Sequence, residues 1–159
     1  MMRIEKDNYL MEVDIEKTRE YYAARTLCDC LNCRNYYKGI EGRLLLLKEF
    51  LDEFGVDITR PDEMGWYDNE EKQEINYTFV AYTVTGKLLQ PDKHEIDIWD
   101  EGLFLNIKID EGYVPNEQSE EYFVITVYNI VLPWVLDEPF TSVKEEKKPK
   151  KSWFGLLKR

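Results

Sequence analysis

The chain lacks long apolar runs, and it has one histidine and three cysteines in 159 residues. No window approaches the roughly 18 to 20 apolar residues of a membrane-spanning helix, and residues 1–8 lack the apolar stretch of a signal peptide. We therefore expect a cytoplasmic protein. The cysteines are odd in number and all lie between positions 28 and 33, which is untypical of a disulfide framework.

Sequence motifs of the common enzyme classes are also absent. Nothing matches the glycine-rich loops that bind dinucleotides or nucleotide phosphates, the acidic loop of an EF-hand, or the G-x-S-x-G turn of hydrolases. His94 has the chemistry of a general base, but no such motif accompanies it, and a surface histidine is the more usual interpretation. The sequence provides no support for an enzymatic activity, and a non-enzymatic binding protein is the leading hypothesis.

Positive charge is scarce, with 21 Lys and Arg against 32 Asp and Glu and a net charge of −11. Residues 144–159 contain seven Lys and Arg and two Glu, so this segment carries +5 and residues 1–143 carry −16. Such a charge opposes contact with phosphate backbones, and we expect no nucleic-acid binding. It favours a basic protein as partner, although an acidic surface also serves solubility alone.

Hydrophobic residues make up 43% of the chain and aromatic residues 14%, enough for the core of one domain. Asp14 is placed to cap a helix over residues 15–25. A longer helix is predicted from an apolar stripe, bounded by Asp29 as N-cap and by Gly55 as a left-handed C-terminal residue. The stripe has spacings of 3 and 4 and consists of Cys30, Cys33, Tyr37, Ile40, Leu44, Leu47, Leu51 and Phe54. Gly39 and Gly42 weaken this helix and make a break between them possible.

In the second half of the chain, apolar residues recur at every second position instead of every third or fourth. Residues 56–72 indicate an ordered loop, and strands are predicted at 75–85, 95–99, 103–109 and 122–131, with Gly86-Lys87 as a turn. The last strand is apolar on both faces, which predicts a central position in the sheet. The predicted fold is α+β, with N-terminal helices on one face of a mostly antiparallel sheet of about four strands.

The composition shifts after Phe140, which predicts a folded domain over residues 1–140 and a basic-aromatic tail over residues 141–159. The tail residues expected to make contact are Lys150, Lys151, Trp153, Phe154, Leu156 and Leu157. Their pattern suits a docking motif for a protein partner, self-association, a tail that folds back onto the acidic domain, or reversible contact with an anionic membrane surface. An inert tail is the remaining alternative. The leading hypothesis is an acidic interaction protein with this tethered tail as a second contact.

Two segments carry a family resemblance. The helix start C-D-C-L-N-C-R-N-Y-Y at 28–37, and the following F-G-V-D-I-T-R-P-D-E at 54–63, resemble a group of small uncharacterised bacterial proteins. The resemblance covers roughly residues 21 to 67. It implies a bacterial source and a shared N-terminal helical element, and it brings no activity, cofactor or ligand.

The cysteine cluster is the alternative basis for a function. Cys28, Cys30 and Cys33 have C-x-C-x-x-C spacing, and thiolates near a helix start are soft metal ligands. Zinc is the possible cofactor, but a fourth ligand is missing because His94 is distant in sequence. Cys30 and Cys33 also form a C-x-x-C pair suited to redox chemistry. Both lie on the apolar stripe as well, so buried structural thiols are the third interpretation.

Overall fold

An N-terminal β-hairpin that the sequence analysis missed begins the chain. In the computed structural model, which describes residues 1–140, β1 (Met2–Lys6) pairs antiparallel with β2 (Tyr9–Val13). The strands are short, and the turn between them places Asp7 at φ 53°. Tyr9, Met11 and Val13 are buried, as expected for one face of a strand, but the apolar Leu10 between them interrupts the period of two in the sequence.

The first helix, α1 (Ile15–Ala24), confirms the prediction apart from its last residue. The Asp14 side chain accepts a hydrogen bond from the backbone N of Lys17 at 3.0 Å, which is the expected N-cap contact. Thr18 and Tyr22 are buried on one face of the helix. Tyr22 donates its hydroxyl to the backbone oxygen of Thr83, so this face is held by a hydrogen bond as well as by packing.

The predicted long helix is two helices, α2 (Leu31–Ile40) and α3 (Leu45–Asp52). The break spans residues 41–44, where Gly42 has φ 72° and Leu44 has φ 50°. Asp29 is not the N-cap, because Cys30 occupies that position without a side-chain cap bond. Gly55 at φ 83° follows the end of α3 in the left-handed conformation that was predicted.

The segment predicted as a loop contains β3 (Glu63–Asn69), which pairs antiparallel with β4 (Glu74–Gln90). Gly86 was predicted as a turn, and this is wrong because β4 continues through it and pairs with β2 there. A Cβ on Gly86 would lie 2.0 Å from the backbone oxygen of Glu12, and its φ is 148°. Only glycine fits so close a strand crossing, which explains why this glycine lies inside a strand.

The C-terminal strands confirm the predicted hairpin and the central last strand. They are β5 (Ile96–Asp100), β6 (Leu103–Asp110) and β7 (Tyr122–Pro133). The sheet order is β1-β2-β4-β7-β6-β5, with β3 also paired to β4, and every pairing is antiparallel. The described chain is therefore α+β, but its sheet has seven strands rather than about four.

The core lies between this sheet and the helices, where α1 contacts β4, α2 contacts β7 and α3 contacts β5. Buried tyrosines link the two layers. The hydroxyls of Tyr36 and Tyr82 lie 2.6 Å apart, and Tyr82 also bonds the backbone oxygen of Ile58 at 2.7 Å. Tyr77 donates to the backbone oxygen of Asn32 at 2.7 Å. None of the three described helices is long and apolar enough to span a bilayer.

Candidate metal site

The three cysteines meet where the connection from α1 enters α2. Cys28 lies in that connection, Cys30 is the N-cap of α2, and Cys33 is in its first turn. Their Sγ atoms all lie within 4.8 Å of one another. Within residues 1–140, these three cysteines are the group of three or more metal-ligating side chains that lie close together. The structure therefore brings together the residues that the C-x-C-x-x-C spacing indicated.

Burial increases along the cluster. Cys28 is exposed, Cys30 is half-buried and Cys33 is only 7% exposed, and no disulfide joins them. Cys33 belongs to the hydrophobic core and Cys30 packs against it. Packing therefore explains the presence of Cys33 and part of Cys30, but it does not explain an exposed cysteine at position 28.

Neighbouring groups move the thiol pKa values apart. The pKa of Cys28 is lowered, mainly because the backbone N–H of Cys30 stabilises the Cys28 thiolate. The side chains of Cys33 and Cys30 stabilise the thiolate further. Burial is the largest cause that raises the pKa of Cys33, and the neighbouring Cys30 and Cys28 raise it further. Cys28 is therefore the more readily ionised of these two thiols, and Cys33 retains its proton until a cation offsets its charge.

Side chains one turn along α2 hold the cysteine loop in place. The Nε of Arg34 donates to the backbone oxygen of Asp29 at 3.0 Å, and its guanidinium pairs with Glu138 at 2.7 Å. The Tyr37 hydroxyl donates to the backbone oxygen of Cys28 at 2.9 Å. Burial is the largest cause that raises the pKa of Tyr37, and the charges of Cys33 and Cys28 raise it further. The sequence analysis missed both positioning roles, although Tyr37 lies on the same helical stripe as Cys33.

The start of the cysteine loop is held by a buried ion pair that the sequence analysis also missed. Arg25, which follows α1, lies 2.8 Å from the carboxylate of Asp62, and both side chains are buried. The guanidinium of Arg60 donates to the backbone oxygens of Tyr22 and Arg25. The R-P-D-E segment at residues 60–63 therefore supports the end of α1 and the loop that follows it.

The fourth ligand expected for zinc is not supplied by histidine. His94 lies in the connection between β4 and β5, where its amide bonds Asp92 and its carbonyl accepts the Tyr9 hydroxyl at 2.8 Å. The group of ligating side chains contains cysteines alone. Among the described residues, the cluster thus offers three ligands of one kind, and the exposed side at Cys28 is open for a fourth.

The sequence analysis also predicted contacts in the C-terminal tail. The residues concerned are Lys150, Lys151, Trp153, Phe154, Leu156 and Leu157, and all of them lie outside the described residues. Comparisons with family models, curated proteins and solved structures found no match to the chain. A function is therefore inferred from the chain's own side chains.

Proposed function

We propose that the protein binds a thiophilic metal ion, zinc, through Cys28, Cys30 and Cys33. The observation that supports this is the separation of at most 4.8 Å between any two of their Sγ atoms. Zinc–sulfur bonds of about 2.3 Å place the sulfurs of a tetrahedral site about 3.8 Å apart. A contraction of no more than about 1 Å would form three such bonds, and the loop position of Cys28 allows it.

The ionisation of the thiols matches this function. Metal binding requires thiolates, and the lowered pKa of Cys28 makes its thiolate easier to form. The raised pKa of Cys33 means that its proton leaves only when the ion binds. Three thiolates leave one position of a tetrahedral ion open to water on the exposed side of the loop.

The test is zinc retention by the full-length reduced protein, read by native mass spectrometry after dialysis. We expect about one zinc ion per chain, because three converging thiolates retain zinc at neutral pH. Cys28→Ser removes an exposed ligand without disturbing the core, and it should abolish retention. His94→Asn is the matched control, and it should retain zinc like the unaltered chain.

Two further readouts belong to the same experiment. Zinc affinity should fall as the pH is lowered, because protons compete for all three sulfurs and the raised pKa of Cys33 releases a proton on binding. Bound zinc should also protect Cys28 from an alkylating reagent that labels it in the metal-free protein. Equal zinc retention by Cys28→Ser, or labelling of Cys28 at the same rate with and without zinc, would contradict the proposal.

Thiol–disulfide exchange is a second candidate, favoured by the exposure and lowered pKa of Cys28 beside two other thiols. The Cys28 thiolate would attack a small disulfide such as glutathione disulfide and release one glutathione thiolate. A neighbouring protein thiol would then displace the second glutathione and close an intrachain disulfide. Incubation in a glutathione redox buffer tests this, because an intrachain disulfide in the absence of zinc would favour the redox function.

A further inference from the structure

A groove with an apolar floor lies between α3 and the edge strand β5, and it encloses about 360 Å³. Phe50 and Ile98 line its floor, and Leu46 and Trp99 line its sides. Leu46 is 53% exposed and Trp99 is 66% exposed. An exposed tryptophan beside an exposed leucine is typical of a surface that another apolar segment covers.

The groove is held in shape by the strands and helix around it. The Trp99 ring packs on Phe104 of the neighbouring strand, with the ring centroids 4.7 Å apart. Asp100 accepts hydrogen bonds from the backbone N of Leu46 and of Leu47 at 3.0 Å, which joins β5 to the start of α3. The apolar side chains are therefore presented by two elements that are bonded to each other.

Acidic side chains line the edge of the groove, namely Glu49, Glu53 and Asp97. A cation already binds at one end, where the Lys6 ammonium lies 2.8 Å from Glu53 and 5.4 Å from the centre of the Phe50 ring. This contact shows that the combination of carboxylate and aromatic face accommodates a lysine. The surface therefore suits a segment with both apolar and cationic side chains.

We propose that residues 150–159 of the same chain dock in this groove. This segment has Lys150, Lys151, Lys158 and Arg159 around Trp153, Phe154, Leu156 and Leu157. Its cations complement the carboxylates at the edge of the groove, and its apolar side chains complement the floor. The charge of −16 on residues 1–143 favours this occupant over an anionic membrane, which the acidic domain would repel.

The connection between the described domain and this segment has nine residues, from 141 to 149. Phe140 is buried and packs against Trp134 with ring centroids 5.4 Å apart. The nine residues from 141 to 149 can extend over about 30 Å, while a domain of this size has a radius of gyration of about 14 Å. A tethered segment also binds at a high effective concentration, so a few apolar contacts suffice.

The experiment is zero-length carbodiimide cross-linking of the full chain, made as an equal mixture of unlabelled and heavy-isotope-labelled protein. We expect cross-links from Lys150, Lys151 or Lys158 to Glu49 or Asp97, with both peptides carrying the same isotope. The double variant Trp153→Ala/Phe154→Ala keeps every cross-linking group, and its yield should fall about tenfold because two aromatic anchors are lost.

A groove variant with a matched control completes the design. Leu46→Gln removes an exposed apolar wall without changing charge, and it should lower the yield, whereas Leu89→Gln on β4 should leave it unchanged. Absent cross-links, or equal yields in the tail variant, would overturn the proposal. Pairs of mixed isotope would assign the groove to a second copy of the chain. If the protein sediments with phosphatidylglycerol vesicles only when its tail is unaltered, the tail binds an anionic membrane instead of the groove.

Discussion

At the scale of single residues, Asp62 carries the largest concentration of polar contacts in the described chain. Its two carboxylate oxygens accept hydrogen bonds from the hydroxyls of Tyr21 and Tyr22, the guanidinium of Arg25, and the backbone N and hydroxyl of Thr83. The Asp62 side chain is completely buried. These donors offset the free-energy cost of burying the Asp62 carboxylate away from water.

We predict that Asp62→Asn lowers the free energy of unfolding by about 3 to 5 kcal/mol, because it leaves the buried guanidinium of Arg25 without its counter-charge. Asp52→Asn is the matched control, since it breaks the half-exposed pair with Lys48. That change should cost less than about 1 kcal/mol. Chemical denaturation of both variants measures the difference, and equal losses would mean that burial adds nothing to the Arg25 pair.

The residue scale also shows where sequence reasoning was strong and where it failed. Cys28, Cys30 and Cys33 were identified because ligands within six positions of each other meet through local geometry alone. Asp62 and Arg25 were not paired, because they are 37 positions apart and nothing in the periodicity connects them. Side-chain pairing over such a separation depends on which elements pack together.

At the scale of elements, β4 organises the sheet, since β2, β3 and β7 all pair with it. Its 17 residues continue through Gly86, which the sequence analysis had assigned to a turn. The close approach of Glu12 from β2 is what requires a glycine there. A glycine inside a strand and a glycine in a turn have the same signature in sequence, and only the neighbouring strand distinguishes them.

Gly86→Ala should therefore lower the free energy of unfolding by more than about 3 kcal/mol, or release the β1–β2 hairpin from the sheet. Gly102→Ala is the control, because Gly102 has a positive φ of 81° but no atom within 4 Å of an added Cβ. The control should cost about 1 kcal/mol. Hydrogen exchange provides the local readout: unchanged protection of β1 and β2 with unchanged stability would disprove the steric argument.

The break between α2 and α3 is also decided by a distant element. The apolar spacing of 3 and 4 continues from Ile40 through Leu44 to Leu47, so the sequence predicts one helix across the break. In the structure the carboxylate of Glu101, in the β5–β6 turn, accepts the backbone N of Leu44 at 2.6 Å. Asp100 beside it caps the next helix, and this pair of acceptors stabilises a second helix start.

At the scale of the whole molecule, buried tyrosines couple stability to alkaline pH. Burial is the largest cause that raises the pKa values of Tyr22, Tyr36, Tyr77 and Tyr82. A tyrosine is neutral when protonated, and burial favours this neutral form in the folded state. The raised pKa therefore corresponds to added stability, which is fully present at pH values below the pKa of the unfolded chain. That contribution is lost as the pH rises from the unfolded value of about 10 through the raised pKa of the folded state.

We predict that the free energy of unfolding falls as the pH is raised above about 10, and that phenolate absorbance of these four residues appears together with loss of structure. Tyr36→Phe removes one buried phenol and should make the fall less steep. Tyr113→Phe removes a phenol that is 77% exposed and should leave the slope unchanged. If both variants have the slope of the unaltered chain, phenol burial does not control the alkaline transition.

The sequence by itself determined α1, the β5–β6 hairpin, the apolar β7 and the grouping of the three cysteines. Each of these depends on residues close together in the chain, where periodicity, turn residues and spacing act directly. Only the tertiary structure decided that the sheet has seven strands, that β4 passes through Gly86, and that Asp62 pairs with Arg25. These features arise where distant segments meet, because burial and hydrogen bonding between them outweigh the local preference of either segment.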